Sequence, residues 1–326
     1  MTRIFASRDV ALTALLILVC LAFGLTSENF RDPMNFLDRS RHWVEIGIIA
    51  IPMTFIIATG GIDLSVGSLL ALCGVVSGLA YEILGLPLPV AFGLGVVIGG
   101  VCGAINGLLS SRLRVPALVT TLATMAAFRG LAMGLSQADP IRGFPRAFTD
   151  WAGMGAFGRG DFQFPYQTAM LVALVAVGAI LFSRSLIGRW SIQIGENPKA
   201  ARFSTVPVHT TNLLLYTASG LCCGLAAIFY TGRFATAHPD AAKGLELEVI
   251  ACVVIGGTRI TGGNGSVVGT FLGVLLLGTL GFGMEMQGVV QKYQMILIGV
   301  LVVTIATFNE YIARAPRQAG AQRGTR

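Results

Sequence analysis

The chain reads as a succession of apolar runs, each about as long as a bilayer is thick, with scarcely a charge inside them. A helix needs roughly 20 apolar residues to cross the hydrocarbon core. Runs close to that length lie at 10–26, 44–60, 64–84, 88–110, 116–136, 166–182, 213–230, 266–283 and 293–308. They are continuous rather than alternating, and backbone groups in lipid must be satisfied within their own segment, so each is expected to be a helix. The residues are 54% hydrophobic and only 12% charged, where soluble domains carry about a quarter charged residues. The expected fold is all-α, a polytopic transmembrane helical bundle. No linker interrupts it, so residues 1–326 are read as a single membrane domain.

A tenth run, 245–257, is short and begins beside Glu246 and Glu248. Charge placement argues for counting it. With the N-terminus in the cytoplasm, alternation puts Arg112, Arg114, Arg184, Arg189, Lys199 and Arg202 inside, as the positive-inside rule requires. The basic tail residues Arg314, Arg317, Arg323 and Arg326 fall inside only if the number of crossings is even. About ten spans with both termini cytoplasmic is therefore the expected topology. Arg3 and Arg8 ahead of the first run could mark a signal peptide, but no small-residue cleavage motif follows Leu25, and a retained helix is expected. The net charge of +7 is spread over loops and suits membrane topology better than nucleic acid.

Residues 183–212 form the longest internal loop, and the tail 314–326, rich in Ala, Gly and Gln, is expected to be disordered. Gly95, Gly99, Gly103 and Gly107 recur every four residues and share one helix face, a stripe suited to close helix packing, with Gly220 and Gly224 as a shorter version. The segments starting at Gly60-Gly61 and Gly256-Gly257 echo each other weakly. The six cysteines lie in apolar runs without metal-ligand spacing, so neither a metal site nor a disulfide is expected.

The sequence contains no G-x-x-x-x-G-K-[ST], H-E-x-x-H or G-x-S-x-G motif, so no catalytic residues, no cofactor and no ATP hydrolysis by this chain are expected. Ionisable residues at membrane depth are the candidates for function, since a charge there costs about 2.5–3.5 kcal/mol on insertion scales. Glu45 stands near a helix end and reads as interfacial. Arg129 lies well inside its run and should face the protein interior, in an ion pair with Glu246 or Glu248 or on a solute path. Gly60 and Gly61 break the second helix, after which Asp63 either caps the next helix or lines the path. In the internal loop, Asn197-Pro198 signals a helix start, with Ala200, Ala201 and Phe203 presented to a partner.

The stretch from Thr59 to Ser68, Thr-Gly-Gly-Ile-Asp-Leu-Ser-Val-Gly-Ser, resembles the signature of sugar-type ABC importer permeases. The blocks Asn106-Gly107-Leu108-Leu109 with Arg114 to Met125, Gly195 to Ala201, and Val254 to Thr258 with Gly262 to Ser266 are similar to the same family and follow its order. The resemblance implies a helical permease that pairs with a second protomer, identical or not. It also implies a cytoplasmic ABC ATPase and a periplasmic solute-binding protein as partners, in the inner membrane of a bacterium. Its solute would be sugar-like, closest to rhamnose-type or autoinducer-2-type systems. On this view Gly60, Gly61, Asp63, Asn106, Arg129 and Glu248 lie along the solute path, while Gly195, Glu196, Asn197, Pro198, Ala200 and Ala201 touch the ATPase. One departure is Ser204-Thr205-Val206-Pro207, where the family often has Ser-Gly-Ile. A branched-chain amino-acid permease or an ion-coupled secondary transporter are the alternatives.

Overall fold

The computed structural model describes residues 2–113, 115–158, 163–290 and, beyond them, 293, 294, 296, 297, 299, 300, 303, 304 and 307. Fourteen α-helices follow in order among the described residues: α1 Thr2–Thr26, α2 Glu28–Arg31, α3 Pro33–Ser40, α4 Val44–Ala58, α5 Val66–Glu82, α6 Leu88–Ser111 and α7 Ala117–Leu135, then α8 Arg146–Thr149, α9 Tyr166–Arg184, α10 Leu186–Glu196, α11 Pro198–Phe203, α12 Val208–Phe234, α13 Leu245–Ile255 and α14 Val267–Met286. A two-residue ribbon, Ala156–Phe157 against Phe164–Pro165, is the sole sheet among them. Seven helical segments are long and apolar enough to cross a membrane, with Val66–Glu82 a shorter apolar helix. The run at 293–308 and the tail at 314–326 lie partly or wholly outside the described residues.

Most helix ends fall within a few residues of the apolar runs, but α1 starts eight residues ahead of its run and α12 five, and the second span departs furthest. The second span begins earlier than 44: Asp32 accepts the Met34 N–H, Pro33 occupies the first turn, and a 3₁₀ turn at Arg41–Trp43 carries the chain into α4. One apolar helical segment therefore runs from Pro33 to Ala58.

Helix α4 is the axis of the bundle. Ile48, Ile49, Met53, Ile56 and Ile57 are fully enclosed, packed among α9, α12, α13 and α14. Around that core, α6 and α12 meet backbone to backbone. A Cβ at Gly99 would strike the Gly220 carbonyl, one at Gly103 the Tyr216 carbonyl and Gly220 Cα, and one at Gly107 the Leu213 Cα. Gly95 faces Ser77 and the Cys73 carbonyl of α5. The stripe read from the sequence is thus a groove for two helices. The opposite side of α6, with Val90, Val97, Val101 and Ile105, faces outward, as lipid solvation permits.

Helix α13 is only eleven residues long, about 16 Å at the α-helical rise and half a hydrocarbon core. Most of it is enclosed by protein: Val249, Ala251, Cys252, Val253 and Ile255 are buried between α4 and α14, with Leu247 left exposed. Its lead-in is irregular, with Ala235, Ala242 and Gly244 at positive φ. Arg129 Nη1 donates to the carbonyls of Pro239 (2.7 Å) and Ala241 (2.8 Å), which satisfies part of that backbone.

Candidate functional site

Two glycine turns meet at one end of the bundle. Helix α4 ends at Ala58, the Gly60 N–H bonds the Ile57 carbonyl, the Gly61 N–H bonds that of Ile56, and Gly60 sits at φ +84°. That left-handed step is where glycine is required. Helix α13 ends the same way, with Gly257 at φ +91°. The Gly263 N–H donates to the Ala58 carbonyl at 2.9 Å, joining the second turn to the first.

Asp63 follows the first turn and is completely enclosed. Its Oδ1 accepts the Ser65 N–H (3.0 Å) and the Ser65 hydroxyl (2.7 Å), and its Oδ2 accepts the Ser219 hydroxyl from α12 (3.1 Å). Asn106 Nδ2 of α6 donates to Ser65 Oγ at 2.8 Å. The Ile62 carbonyl takes the hydroxyls of Thr121 (3.1 Å) and Tyr216 (3.4 Å). Asp63 therefore forms a side-chain turn just ahead of α5, whose N-cap, Ser65, makes no side-chain capping bond. The turn is fastened to three other helices at once.

This geometry predicts different outcomes for two substitutions. Asp63→Asn keeps an Oδ1 acceptor, and the Ser219 hydroxyl can reverse to accept from the new amide. Asp63→Ala strands two hydroxyls and a backbone N–H, each at about 1–3 kcal/mol. The Asn variant should reach near-normal membrane yield and the Ala variant should melt well below the parent in detergent. A stable Asn variant that transports nothing would show that the charge itself acts on the solute.

The candidate path residues divide into three places. Gly60, Gly61, Asp63 and Asn106 converge at the turn. Arg129 is spent on carbonyl oxygens of the lead-in to α13, not on the carboxylate of Glu246 or Glu248. Glu248 lies towards the other end, on a cavity it shares with Glu45 and Arg233. Glu45, read as interfacial, is 1% exposed and paired with Arg233 at 2.9 Å. The sequence offered no signal for that pair, because Arg233 closes an ordinary helix and its partner is 188 positions away.

The internal loop also has two sides. Asn197 Oδ1 accepts the N–H groups of Lys199 and Ala200, both at 3.1 Å, and Pro198 opens α11, as its sequence suggests. Glu196, Asn197, Pro198 and Ala200 are exposed. Ala201, expected to be presented outward, is instead 4% exposed and packs with Ile194, Val206 and Val208, since those apolar neighbours claim its methyl. Gly195 is turned inward too: a Cβ there would meet the Ala58 carbonyl and the Gly262–Gly263 backbone. The outer face of α11 is completed by Arg202 and by Phe203, which is 91% exposed. Thr205 stands at φ +62°, in the position where the resembled family often has glycine. A β-branched residue there is strained by about 1–2 kcal/mol, so Thr205→Gly should raise the resistance of this loop to limited proteolysis.

A family model described as the permease component of branched-chain amino acid transport systems matches residues 41–306. The autoinducer 2 import system permease protein LsrD of Yersinia pseudotuberculosis serotype O:1b (strain IP 31758) is 37% identical over 303 residues, covering 91% of this chain and 89% of that relative. LsrD of Yersinia pestis (strain Pestoides F) is 36% identical over the same shares. No solved structure matches the chain. Because these matches run through both glycine turns and the loop between them, the chain belongs to the permease family of ABC importers, within its sugar-type members, and is a multi-pass protein of the bacterial inner membrane.

Proposed function

We propose that this chain forms the membrane path for autoinducer-2 or a closely similar sugar-like solute, with ATP hydrolysed on a separate cytoplasmic ABC ATPase chain. Likeness to LsrD over nine-tenths of the chain carries this reading. A periplasmic binding protein delivers the solute, and a second permease protomer, identical or related, completes the path. The chain crosses the membrane about ten times with both ends in the cytoplasm, which puts the two glycine turns and α10–α11 inside. Gly60, Gly61, Asp63 and Asn106 act where the path reaches the cytoplasmic side.

The ATPase docks on the exposed side of α10–α11, at Glu196, Asn197, Pro198, Ala200 and Phe203. An apolar ring held outside the lipid favours a protein partner there. Gly195 and Ala201 support that surface from within. Seating of Gly195 against the Ala58 carbonyl and Gly263 gives docking a direct mechanical route to the turn before Asp63.

The test is uptake by sealed inside-out and right-side-out vesicles carrying the whole importer. Autoinducer-2 should accumulate only with ATP on the ATPase side, and leucine should not compete. Accumulation driven by an ion gradient alone would establish a secondary transporter instead, and competition by leucine would restore the amino-acid reading.

A further inference from the structure

At the end of the bundle away from the glycine turns, a cavity of about 320 Å³ opens between the starts of α4 and α13 and the ends of α12 and α14. Glu45 and Arg233 line it together with Trp43, Tyr230 and Glu248. The Glu45–Arg233 pair is incomplete as a structural ion pair. Glu45 Oε1 accepts from both Arg233 Nε (3.2 Å) and Nη2 (2.9 Å), and Arg233 Nη1 meets His42 Nδ1 at 2.7 Å. Glu45 Oε2, on an almost fully enclosed side chain, has no hydrogen-bond partner among the described residues. A buried pair repays its desolvation only when the remaining lone pairs are also satisfied.

Among the described residues, other charges at the rim are already committed. Arg39 pairs with Glu285, and Lys243 with Asp240 at 2.8 Å. Glu248 is half-buried, and its carboxylate forms no ion pair or hydrogen bond among the described residues. The cavity therefore offers one enclosed carboxylate oxygen that lacks a donor, a second carboxylate at Glu248, a guanidinium held in place, and the rings of Trp43 and Tyr230. Such a set calls for hydrogen-bond donors. It suits a small uncharged molecule with several hydroxyls, which donate to carboxylates while the carbon skeleton lies against aromatic faces. The volume lies at the lower end of small-ligand pockets, which begin at about 300 Å³.

We propose that this cavity is a binding station for an uncharged polyhydroxylated solute, with Glu45 and Glu248 accepting its hydroxyls and Arg233 holding Glu45 in register. The proposal rests on the solute reading above and adds where, and by which groups, the solute is held before it reaches the glycine turns.

The test uses the whole importer and autoinducer-2 as probe. Glu45→Gln replaces one oxygen acceptor with a donor, and Glu248→Gln does the same without touching the Arg233 pair. Each should lower the maximal uptake rate per assembled complex tenfold or more; Glu248→Gln should keep complex yield and melting midpoint close to the parent, while Glu45→Gln also weakens the pair with Arg233 and is compared at matched complex amount. In a thiol-free background, Gly281→Cys on the cavity wall should react with a membrane-impermeant thiol reagent, and millimolar autoinducer-2 should slow that reaction at least threefold. Normal uptake in both Gln variants, or labelling of the cysteine unaffected by solute, would overturn the station and leave the importer reading standing. A collapse of folding in Glu45→Gln with normal uptake in Glu248→Gln would assign the pair to stability alone and also overturn it. A parent importer that takes up no autoinducer-2 would sink both readings together.

Discussion

Gly103→Leu will remove nearly all folded permease from the membrane, while Gly130→Leu will leave its yield unchanged. Both glycines lie inside long apolar helices, and leucine is the better helix former at each. They differ in what a side chain would meet. At Gly103 the obstruction is backbone, the Tyr216 carbonyl and Gly220 Cα of α12, which cannot rotate aside. At Gly130 nothing lies within 4 Å. Overpacking of a side-chain core commonly costs about 1–3 kcal/mol. Prising two helix backbones apart along the whole stripe should exceed that, because Gly99 and Gly107 lose their contacts at the same time. Membrane yield by immunoblot and melting in detergent decide the matter. Equal yields of the two variants would show that α6 and α12 do not meet through the stripe.

Phe203→Asp will abolish ATP-driven uptake without lowering the amount of permease. The ring stands on a six-residue helix outside the apolar spans and is almost wholly exposed, so the substitution disturbs nothing inside the chain. At an interface it removes a large apolar contact and buries a carboxylate, and central aromatic anchors are worth about 2 kcal/mol or more. Co-purification of the ATPase should fall at least tenfold. Ala201→Arg should reach the same end by another route. It forces a charge among Ile194, Val206 and Val208 and unfolds the loop, so trypsin should cut near Arg202 in that variant but not in Phe203→Asp. Undiminished ATPase capture by Phe203→Asp would place the docking surface elsewhere.

What the sequence made legible was whatever local chemistry controls. Among the described residues the long apolar runs became helices, most ends within a few residues, the starts at Thr2 and Pro33 excepted, and Asn197-Pro198 opened a helix because its cap needs no distant partner. The glycine stripe was visible because a four-residue period is a local pattern. Pro33–Ser40 was missed as helix because its mixed apolar and charged residues resemble a loop when the neighbour it lies on is unknown. Ala201 was assigned to the wrong side because a six-residue helix takes its rotation from Val206 and Val208, beyond its own end. Arg129 found backbone carbonyls, which no residue type announces. Glu45 and Arg233 were each visible as single charges, and only the packing of α4 against α12 makes them a pair.

The short α13 bears on how the chain is assembled in the membrane. Insertion machinery weighs segments by hydrophobicity as they emerge, and eleven residues opening with Glu246 and Glu248 make a poor case for entry into lipid. What holds α13 in place is the flank of α4 and the flank of α14, and α14 is synthesised afterwards. The segment must therefore wait, partly committed, until its C-terminal neighbour arrives. Its place is granted by protein rather than by solvent, and α13 and α14 mature as one event instead of helix by helix.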